Sequence, residues 1–395
     1  MTSKFKMIFS LSMFISIWDL LTKYLPMYLW VMITRSNKQC WLITERPTDA
    51  RDNGYVLFKW LCQNHPEKNV IYAIRKDAAD YANVKNLGKV IEYGSYQHWY
   101  YYFTASVCCD TSWGICCPNS MTYLMMRNVL PPHSKRVFLQ HGITKDYMPQ
   151  GRKHKLNADI FVCGAYPEWE YINTNFGYTN DEVKYLGFAR YDRLVNEQTK
   201  HQILYMPTWR VSIKNCDDVI QTEYYKRITS LLSSASLYEY LKYIDAEFVF
   251  FLHPSIRDWK QYFTSFANDR IKVLNNEDYD LQKLICTANM LITDFSSIFF
   301  DFAYLGKPVV YYQFDYEDYR KGHYKEGYFF YMDDGFGPIV SKEEALVSTV
   351  ISIANNNWTL PVVYTDRAER FFPIRDKNNC QRHYDALCEL DDCTL

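Results

Sequence analysis

Short apolar runs alternate with amphipathic stretches along most of the chain. The runs at 70–74 and 290–293 carry no charge, as is typical of strands buried on both faces of a parallel sheet. The stretches at 54–64 and 96–104 instead space their apolar residues as one face of a helix does. This alternation predicts an α/β fold with helices on both faces of parallel sheets. The pattern predicts strands at 41–44, 70–74, 90–93, 106–109, 135–140, 160–163, 183–186, 203–206, 247–252, 271–274, 290–293 and 309–312, and helices at 54–64, 96–104, 167–176, 222–243, 341–354 and 366–390.

The strand–helix series restarts near residue 184, which predicts two similar halves. We expect one Rossmann-like domain over 36–180 and a second over 181–360. A helical segment over 361–395 is expected to pack back toward the first domain. Ligands of such sheets bind beyond the carboxyl ends of the strands, so the expected binding region is a central cleft that both domains face.

The first 35 residues are apolar to an unusual degree. Residues 7–18 and 24–34 carry no charge, but neither run approaches the roughly 20 apolar residues that a spanning helix needs. We expect a helix or helix pair lying in the membrane interface, with Trp18 and Trp30 as anchors. The alternative is a long helix that packs on the protein itself.

The stretch 289–313 carries the clearest chemical signal. It predicts a buried strand, an acidic turn, a helix with Ser296 at its N-cap, a stop at Gly306 and another strand. Such a helix points its free amides out of the carboxyl edge of the sheet, where phosphate can bind, and Ser296 and Ser297 add hydroxyl donors. Asp301, one turn on, would orient a base, hold a ribose hydroxyl or pair with a cation. The alternative is an ordinary capped helix.

Further polar residues directly follow other predicted strands, where the carboxyl ends of parallel strands bring side chains together. These are His141, Gly142, Gly187, Arg190, Thr208, Arg210, His253 and Asp294. One histidine in such a place is usually structural, but two with an arginine and a Ser-Ser helix start indicate a site. His141 is a candidate general base, because imidazole titrates near neutral pH.

The composition narrows the chemistry of this site. A formal net charge of −1 provides no basic field for nucleic acid. The chain has no Walker loop, no GxGxxG fingerprint, no GxSxG elbow and no clustered carboxylates for a divalent metal. The pairs Cys108-Cys109 and Cys116-Cys117 lack zinc-site spacing, so the 12 cysteines are expected to be reduced, mostly buried thiols in a cytoplasmic protein. We therefore expect helix amides and side chains, without a metal ion, to stabilise phosphate charge.

Five ordered motifs together resemble the CDP-glycerol glycerophosphotransferase family, the enzymes that prime and polymerise teichoic acids and related phosphopolyol capsules. They are QHGITKD (140–146), GFARYDRL (187–194), LYMPTWR (204–210), FLHPSIRD (251–258) and LITDFSSIFFDFAYLGKPVVYY (291–312). The resemblance implies a GT-B-like fold in which 36–180 is the acceptor domain and 181–360 the nucleotide-donor domain. It also implies peripheral, monotopic association with the cytoplasmic side of the bacterial cell membrane, through the apolar segment 1–35.

The resemblance also assigns roles to individual residues. It implies that His141 is the general base and that His253 lies by the donor pyrophosphate. The residues that it implies bind CDP-glycerol are Gly142, Arg190, Thr208, Arg210, Asp294, Ser296, Ser297 and Asp301. Ala189 replaces a proline and Lys377 replaces a glycine found in many relatives, and neither change touches the proposed chemistry.

The implied reaction moves glycerol phosphate from CDP-glycerol to a hydroxyl of a membrane-linked or polysaccharide acceptor and releases CMP. No cofactor is expected, and the oligomeric state is open. The alternatives are a CDP-ribitol-dependent polyol-phosphate transferase, a GT-B glycosyltransferase that uses a nucleotide sugar, and a non-catalytic scaffold subunit of a polysaccharide assembly complex.

Overall fold

The chain folds into two compact units, each of which contains more than one chain segment. The computed structural model describes residues 13–34, 38–197, 201–213, 219–275, 279–322 and 325–392. Unit 1 comprises residues 1–141, 149–192 and 376–395, and unit 2 comprises residues 142–148 and 193–375.

A seven-stranded parallel sheet in the order β3-β2-β1-β4-β5-β6-β7 forms the centre of unit 1. Its strands are β1 (Lys38–Thr44), β2 (Val70–Ile74), β3 (Lys89–Glu92), β4 (Ala105–Asp110), β5 (Lys135–Phe138), β6 (Ile160–Cys163) and β7 (Val183–Tyr185). All residues of β2, β4 and β6 are buried, because helices cover both faces of the sheet. The helices are Leu25–Thr34, Asn53–Asn64, Tyr81–Val84, Tyr96–Thr104, Ser120–Met126, Lys153–Leu156, Tyr166–Asn175 and Asn379–Asp392, with short 3₁₀ turns at Pro149–Gly151 and Ala189–Arg193.

The amino-terminal segment is helical over residues 13–34, with a π-helical turn at Leu20–Tyr24. Tyr24 is fully buried, packs edge-on against Trp99 and Phe103, and donates its hydroxyl to the carbonyl of Leu130 at 2.5 Å. The segment therefore packs on unit 1 through one side, as the alternative prediction required. Among the described residues, no helix has the length and apolar character needed to cross a bilayer.

Unit 2 contains a six-stranded parallel sheet in the order β10-β9-β8-β11-β12-β13. Its strands are β8 (His201–Tyr205), β9 (Ala246–Phe251), β10 (Ile271–Leu274), β11 (Met290–Thr293), β12 (Val309–Tyr312) and β13 (Ile339–Val340). The helices are Glu223–Leu232, Ala235–Tyr243, Lys260–Phe263, Leu281–Thr287, Phe299–Tyr304, Tyr316–Gly322, Tyr331–Asp334, Glu343–Asn355 and Val362–Phe371, and the 3₁₀ turns are Val211–Ile213, Val219–Gln221, Pro254–Trp259 and Thr264–Phe266.

The twelve predicted strands are all present, with ends shifted by at most three residues, and β13 is an additional short strand. The assignment of 183–186 to the second half is wrong, because β7 pairs with β6 in the sheet of unit 1. The final segment also divides differently from the prediction. Helix Val362–Phe371 belongs to unit 2, whereas Asn379–Asp392 packs on unit 1, where Asp192 accepts the backbone N–H groups of Asn379 and Cys380.

Three predicted helix features are also wrong. The helix predicted at 222–243 is broken by Ser234, whose extended backbone begins a second helix. The SKEE sequence at 341–344, at the start of the predicted helix 341–354, has the pattern of a capping box, but Lys342 occupies the N-cap position without a side-chain bond. The helix after β11 begins at Phe299, so Ser296 lies in the preceding turn, where its hydroxyl accepts the N–H of Ile298 at 3.5 Å.

Candidate active site

His141 lies three residues beyond the carboxyl end of β5 in unit 1, and the residue keeps part of its surface exposed to solvent. The strand ends at Phe138, and the N–H of Leu139 continues the ladder by donating to the carbonyl of Asp110 at 2.8 Å. The Nδ1 atom of His141 lies 3.4 Å from the carbonyl oxygen of Thr111. Because a carbonyl can only accept, Nδ1 carries the proton in this contact, and Nε2 keeps the lone pair that a general base needs.

The surroundings of His141 favour the neutral imidazole. Desolvation by the surrounding protein lowers the pKa of His141 below its ordinary value of 6.5, and the guanidinium groups of Arg46 and Arg190 lower it further. The Asp52 carboxylate and the contact with Thr111 act in the opposite direction without reversing the shift. His141 is therefore predominantly an unprotonated base at neutral pH.

This pKa shift predicts the pH dependence of any reaction in which His141 accepts a proton. The rate is expected to fall as pH decreases through the lowered pKa, so the acidic limb of kcat/KM, which reports groups of the free enzyme, should have its midpoint below pH 6.5. Turnover measured between about pH 5 and 8 tests this. A midpoint at or above 6.5 would contradict the lowered pKa.

Arg190 was predicted to bind substrate, but its described bonds are to protein groups of unit 1. Its guanidinium donates from NH1 to the carbonyl of His141 at 3.2 Å and to Oδ1 of Asp52 at 3.3 Å. Its backbone N–H donates to Oδ1 of Asn53 at 3.1 Å, and the Asn53 amide in turn donates to the carbonyl of Gln140 at 2.8 Å. Arg190 and Asn53 together hold the backbone that carries His141.

Arg210 is the centre of a buried ionic cluster in unit 2. Its guanidinium donates to both carboxylate oxygens of Asp315 at 2.7 and 2.8 Å and to Oδ2 of Asp294 at 2.7 Å. It also donates to the carbonyl of Thr208, and the ring of Phe295 lies 5.1 Å from its central carbon. Only 4% of the Arg210 side chain is exposed, so this predicted ligand-binding cation is already occupied by protein acceptors.

The same cluster shapes the loop after β8. The Thr208 N–H donates to Oδ1 of Asp294 at 2.7 Å, which joins the ends of the neighbouring strands β8 and β11. The Thr208 hydroxyl is buried and has no hydrogen-bonding partner among the described residues. Its proton is therefore without an acceptor among the described residues.

Gly142 and the two serines lie close together in unit 2. A Cβ atom at Gly142 would lie 3.1 Å from the Ser297 hydroxyl, so Gly142 lies directly against the Ser297 side chain. Ser297 is exposed and Ser296 half-buried in the turn after β11. Asp301 is only 4% exposed within helix Phe299–Tyr304, and its predicted role toward a ribose stays a prediction.

His253 lies two residues beyond the end of β9 and is half-buried. The backbone N–H of Ser255 donates to Nδ1 of His253 at 3.1 Å. Because Nδ1 accepts this bond, the proton of the neutral ring is on Nε2. His253 is thus arranged to donate a hydrogen bond through Nε2, which suits a phosphate oxygen.

The sequence analysis missed several polar residues around these positions. In unit 2, Asp146 pairs with Lys145 at 2.5 Å and with Arg320 at 2.9 Å, and burial lowers the pKa of Lys145. Lys145 and Asp146 lie within the QHGITKD motif, whose composition alone could have indicated them. Thr111 and Asp315 lie just after β4 and β12, so the rule that identified His253 would also have found them.

Two Rossmann-like units, with histidine and hydroxyl groups following their parallel strands, give the chain a GT-B-like architecture. The chain belongs to the CDP-glycerol:poly(glycerophosphate) glycerophosphotransferase family, whose model matches residues 26–389. This match confirms the resemblance drawn from the five sequence motifs.

Similar proteins act in teichoic acid synthesis. The minor teichoic acid biosynthesis protein GgaB of Bacillus subtilis is 33% identical over 90% of this chain and 40% of its own length. A teichoic acid poly(glycerol phosphate) polymerase of the same organism is 24% identical over 81% of this chain and 44% of its own length. The chain thus spans less than half the length of these two relatives.

Solved structures share the fold. The wall teichoic acid polymerase TagF superposes with a TM-score of 0.69 at 16% identity, covering 96% of this chain and 98% of TagF. The UDP-GlcNAc 2-epimerase from Neisseria meningitidis superposes with a TM-score of 0.53 at 11% identity, covering 89% of this chain and 100% of the epimerase. At these identities the likeness establishes the architecture.

Proposed function

We propose that this chain transfers glycerol phosphate from CDP-glycerol to a hydroxyl of a lipid-linked or polysaccharide acceptor and releases CMP. The observation that carries the proposal is the family match over residues 26–389, a range that includes every residue of the candidate site. The relatives in teichoic acid synthesis support the same class of donor and acceptor.

In the proposed reaction, His141 accepts the proton of the acceptor hydroxyl on Nε2. The hydroxyl oxygen attacks the β-phosphorus of CDP-glycerol, a phosphodiester bond forms, and the bond from that phosphorus to the bridging oxygen breaks. CMP leaves with the bridging oxygen and its electron pair. The protonated Nδ1 toward Thr111 supports this role, because it leaves the basic nitrogen of His141 available.

Groups of unit 2 hold the donor in this proposal. The Nε2–H of His253 and the hydroxyls of Thr208, Ser296 and Ser297 donate to phosphate oxygens, which spreads the negative charge that develops on the leaving CMP. The buried hydroxyl of Thr208 and the accepting Nδ1 of His253 support these assignments. Arg210 acts as a positioning residue, since its described bonds fix Asp294 and the Thr208 carbonyl.

Product analysis tests the proposal against its rivals. The purified protein is incubated with acceptor-bearing membranes and one donor at a time. The donors are CDP-glycerol, CDP-ribitol and nucleotide sugars. CMP release and phosphodiester formation with CDP-glycerol support the proposal, whereas turnover of only CDP-ribitol or only a nucleotide sugar would replace it. Absence of turnover with every donor would favour a non-catalytic subunit.

We propose further that unit 1 binds the surface of a lipid bilayer peripherally, at the cytoplasmic face of the cell membrane. The helical segment 13–34 leaves large apolar side chains exposed, including Trp18 at 58% and Trp30 at 43%. Met125 and Val129, from a segment that contacts these helices, add to the exposed apolar surface. Interfacial helices with tryptophan anchors have this character.

Replacing both anchors tests the membrane proposal. Trp18→Ser with Trp30→Ser should weaken binding to phospholipid vesicles by at least roughly 10-fold, because each buried aromatic side chain contributes about 1.5–3 kcal/mol. Flotation with vesicles measures this, and Tyr243→Ser, which removes a side chain 82% exposed on unit 2, is the control. Equal flotation of the double variant and the unaltered protein would refute the assignment.

A further inference from the structure

Gln140, the residue before His141, has a backbone conformation that its residue type disfavours. Its φ angle is +59°, in the left-handed region, where the Cβ of an L residue approaches its own carbonyl oxygen. Gln140 has 2% of its surface exposed, whereas the neighbouring His141 is exposed. The left-handed turn therefore directs Gln140 into the interior of unit 1 at the point where the chain presents the imidazole.

The side chain of Gln140 is held by a buried acceptor. Its amide donates to the carbonyl of Val162 in β6 at 2.6 Å and to Oε1 of Glu168 at 3.0 Å. Glu168 is fully buried in the first turn of helix Tyr166–Asn175, and its other oxygen accepts the N–H of Gly164 at 2.7 Å. A strained backbone persists where the surrounding contacts over-determine it, as they do here.

The backbone of the same turn is held independently. Asn53 donates to the carbonyl of Gln140 at 2.8 Å, and Arg190 donates to the carbonyl of His141 at 3.2 Å. Neither bond replaces the contacts of the Gln140 side chain. These contacts join the turn to Val162 in β6 and to Glu168 in the helix that follows β6. The turn is thus held both through its backbone carbonyls and through the side chain of Gln140.

We propose that Gln140 and Glu168 are positioning residues for His141, which hold the strained turn so that the imidazole keeps its contact with Thr111. This inference rests on the proposed function, in which His141 is the base. Neither residue touches the substrate. Each acts by fixing where Nε2 of His141 lies, and small displacements of a reacting group cost large factors in rate.

The first test separates positioning from stability by steady-state kinetics. Gln140→Ala removes the amide and should lower kcat by roughly 10²-fold with little change in the KM for donor. Asn157→Ala is the matched control, because Asn157 is another non-glycine residue of unit 1 with positive φ, at +52°, and lies outside the site. A kcat for Gln140→Ala equal to that of the control would overturn the proposal.

The second test does not depend on catalysis. NMR titration follows the imidazole signal that disappears in His141→Ala, and the groups that face this ring are Asp52, Arg46 and Arg190. If the contact of Gln140 with Glu168 is lost, the ring moves relative to the protein groups that lower its pKa, which should rise toward 6.5 in Gln140→Ala. An unchanged titration would refute positioning. If the pKa of His141 shifts in Gln140→Ala but the His141→Ala variant remains active, the positioning role stands and only the proposed function is refuted.

Two further variants keep the inference testable if Gln140→Ala folds poorly. Gln140→Gly permits the left-handed backbone but lacks the amide, so it should fold and still show the reduced kcat and the raised pKa of His141. Glu168→Gln retains one acceptor oxygen, for which the Gln140 amide and the Gly164 N–H then compete. Its kcat should therefore lie between those of the unaltered protein and Gln140→Ala. Unaltered kcat in both folded variants would count against the proposal.

Discussion

Replacing His141 by alanine is expected to lower CMP release from CDP-glycerol by about 10²–10⁴-fold, the range typical of a lost general base. The physical reason is that no other group then accepts the proton of the attacking hydroxyl in the transition state. The affinity for CDP-glycerol should change little, because the proposed donor contacts come from unit 2. Single-turnover CMP release and calorimetric titration of the donor measure the two effects separately.

Two controls make this result specific to the imidazole. His154→Ala removes another exposed histidine of unit 1, outside the site, and should leave turnover unchanged. Added imidazole should restore part of the activity of His141→Ala, since a free base can enter the space that the side chain occupied. Activity of His141→Ala close to that of the unaltered protein would remove His141 from the mechanism.

Replacing Arg210 by methionine is expected to lower the free energy of unfolding of unit 2 by about 3–5 kcal/mol. Methionine fills much of the volume but leaves the buried Asp294 and the partly buried Asp315 without their cation. Breaking a buried ion pair by removing one partner is costly for this reason. The N–H of Thr208 would then lose a fixed acceptor, so donor binding should weaken as well. Urea denaturation and calorimetric titration measure the two losses.

An exposed ion pair of the same unit is the control. Arg270 pairs with Asp245, whose side chain is 88% exposed, and Arg270→Met should show no measurable loss of stability. Adding Asp315→Asn to Arg210→Met should recover part of the lost stability, because one of the two uncompensated charges is removed. A stability for Arg210→Met equal to that of Arg270→Met would contradict the structural role given to Arg210.

These predictions change the interpretation of the arginines in the sequence motifs. The resemblance to the family implied that Arg190 and Arg210 both bind the donor. In the structure Arg190 bonds to the backbone of His141 and to Asp52, and Arg210 bonds to two aspartates. Phosphate recognition in our proposal depends instead on His253 and the hydroxyl groups of Thr208, Ser296 and Ser297.

Much of the fold and of the candidate site could be predicted from sequence patterns. The strand–helix alternation and the positions of His141, His253 and Ser297 after strand ends depend on residues close together in the chain. The errors concern choices that local patterns do not decide. Val183–Tyr185 is a strand by its composition, but only its pairing with β6 shows which sheet it joins.

By itself, the sequence determined the class of fold, the family and the side chains that collect at the strand ends, because buried strands, turns and motifs have local signatures. Tertiary structure alone decided what those side chains bond to. Arg210 meets Asp294 and Asp315 across 84 and 105 residues of chain, and Gln140 meets Glu168 across 28. The physical reason is that burial forces each charge and each strained turn to find a partner, and that partner is a neighbour in space, set by how the strands assemble.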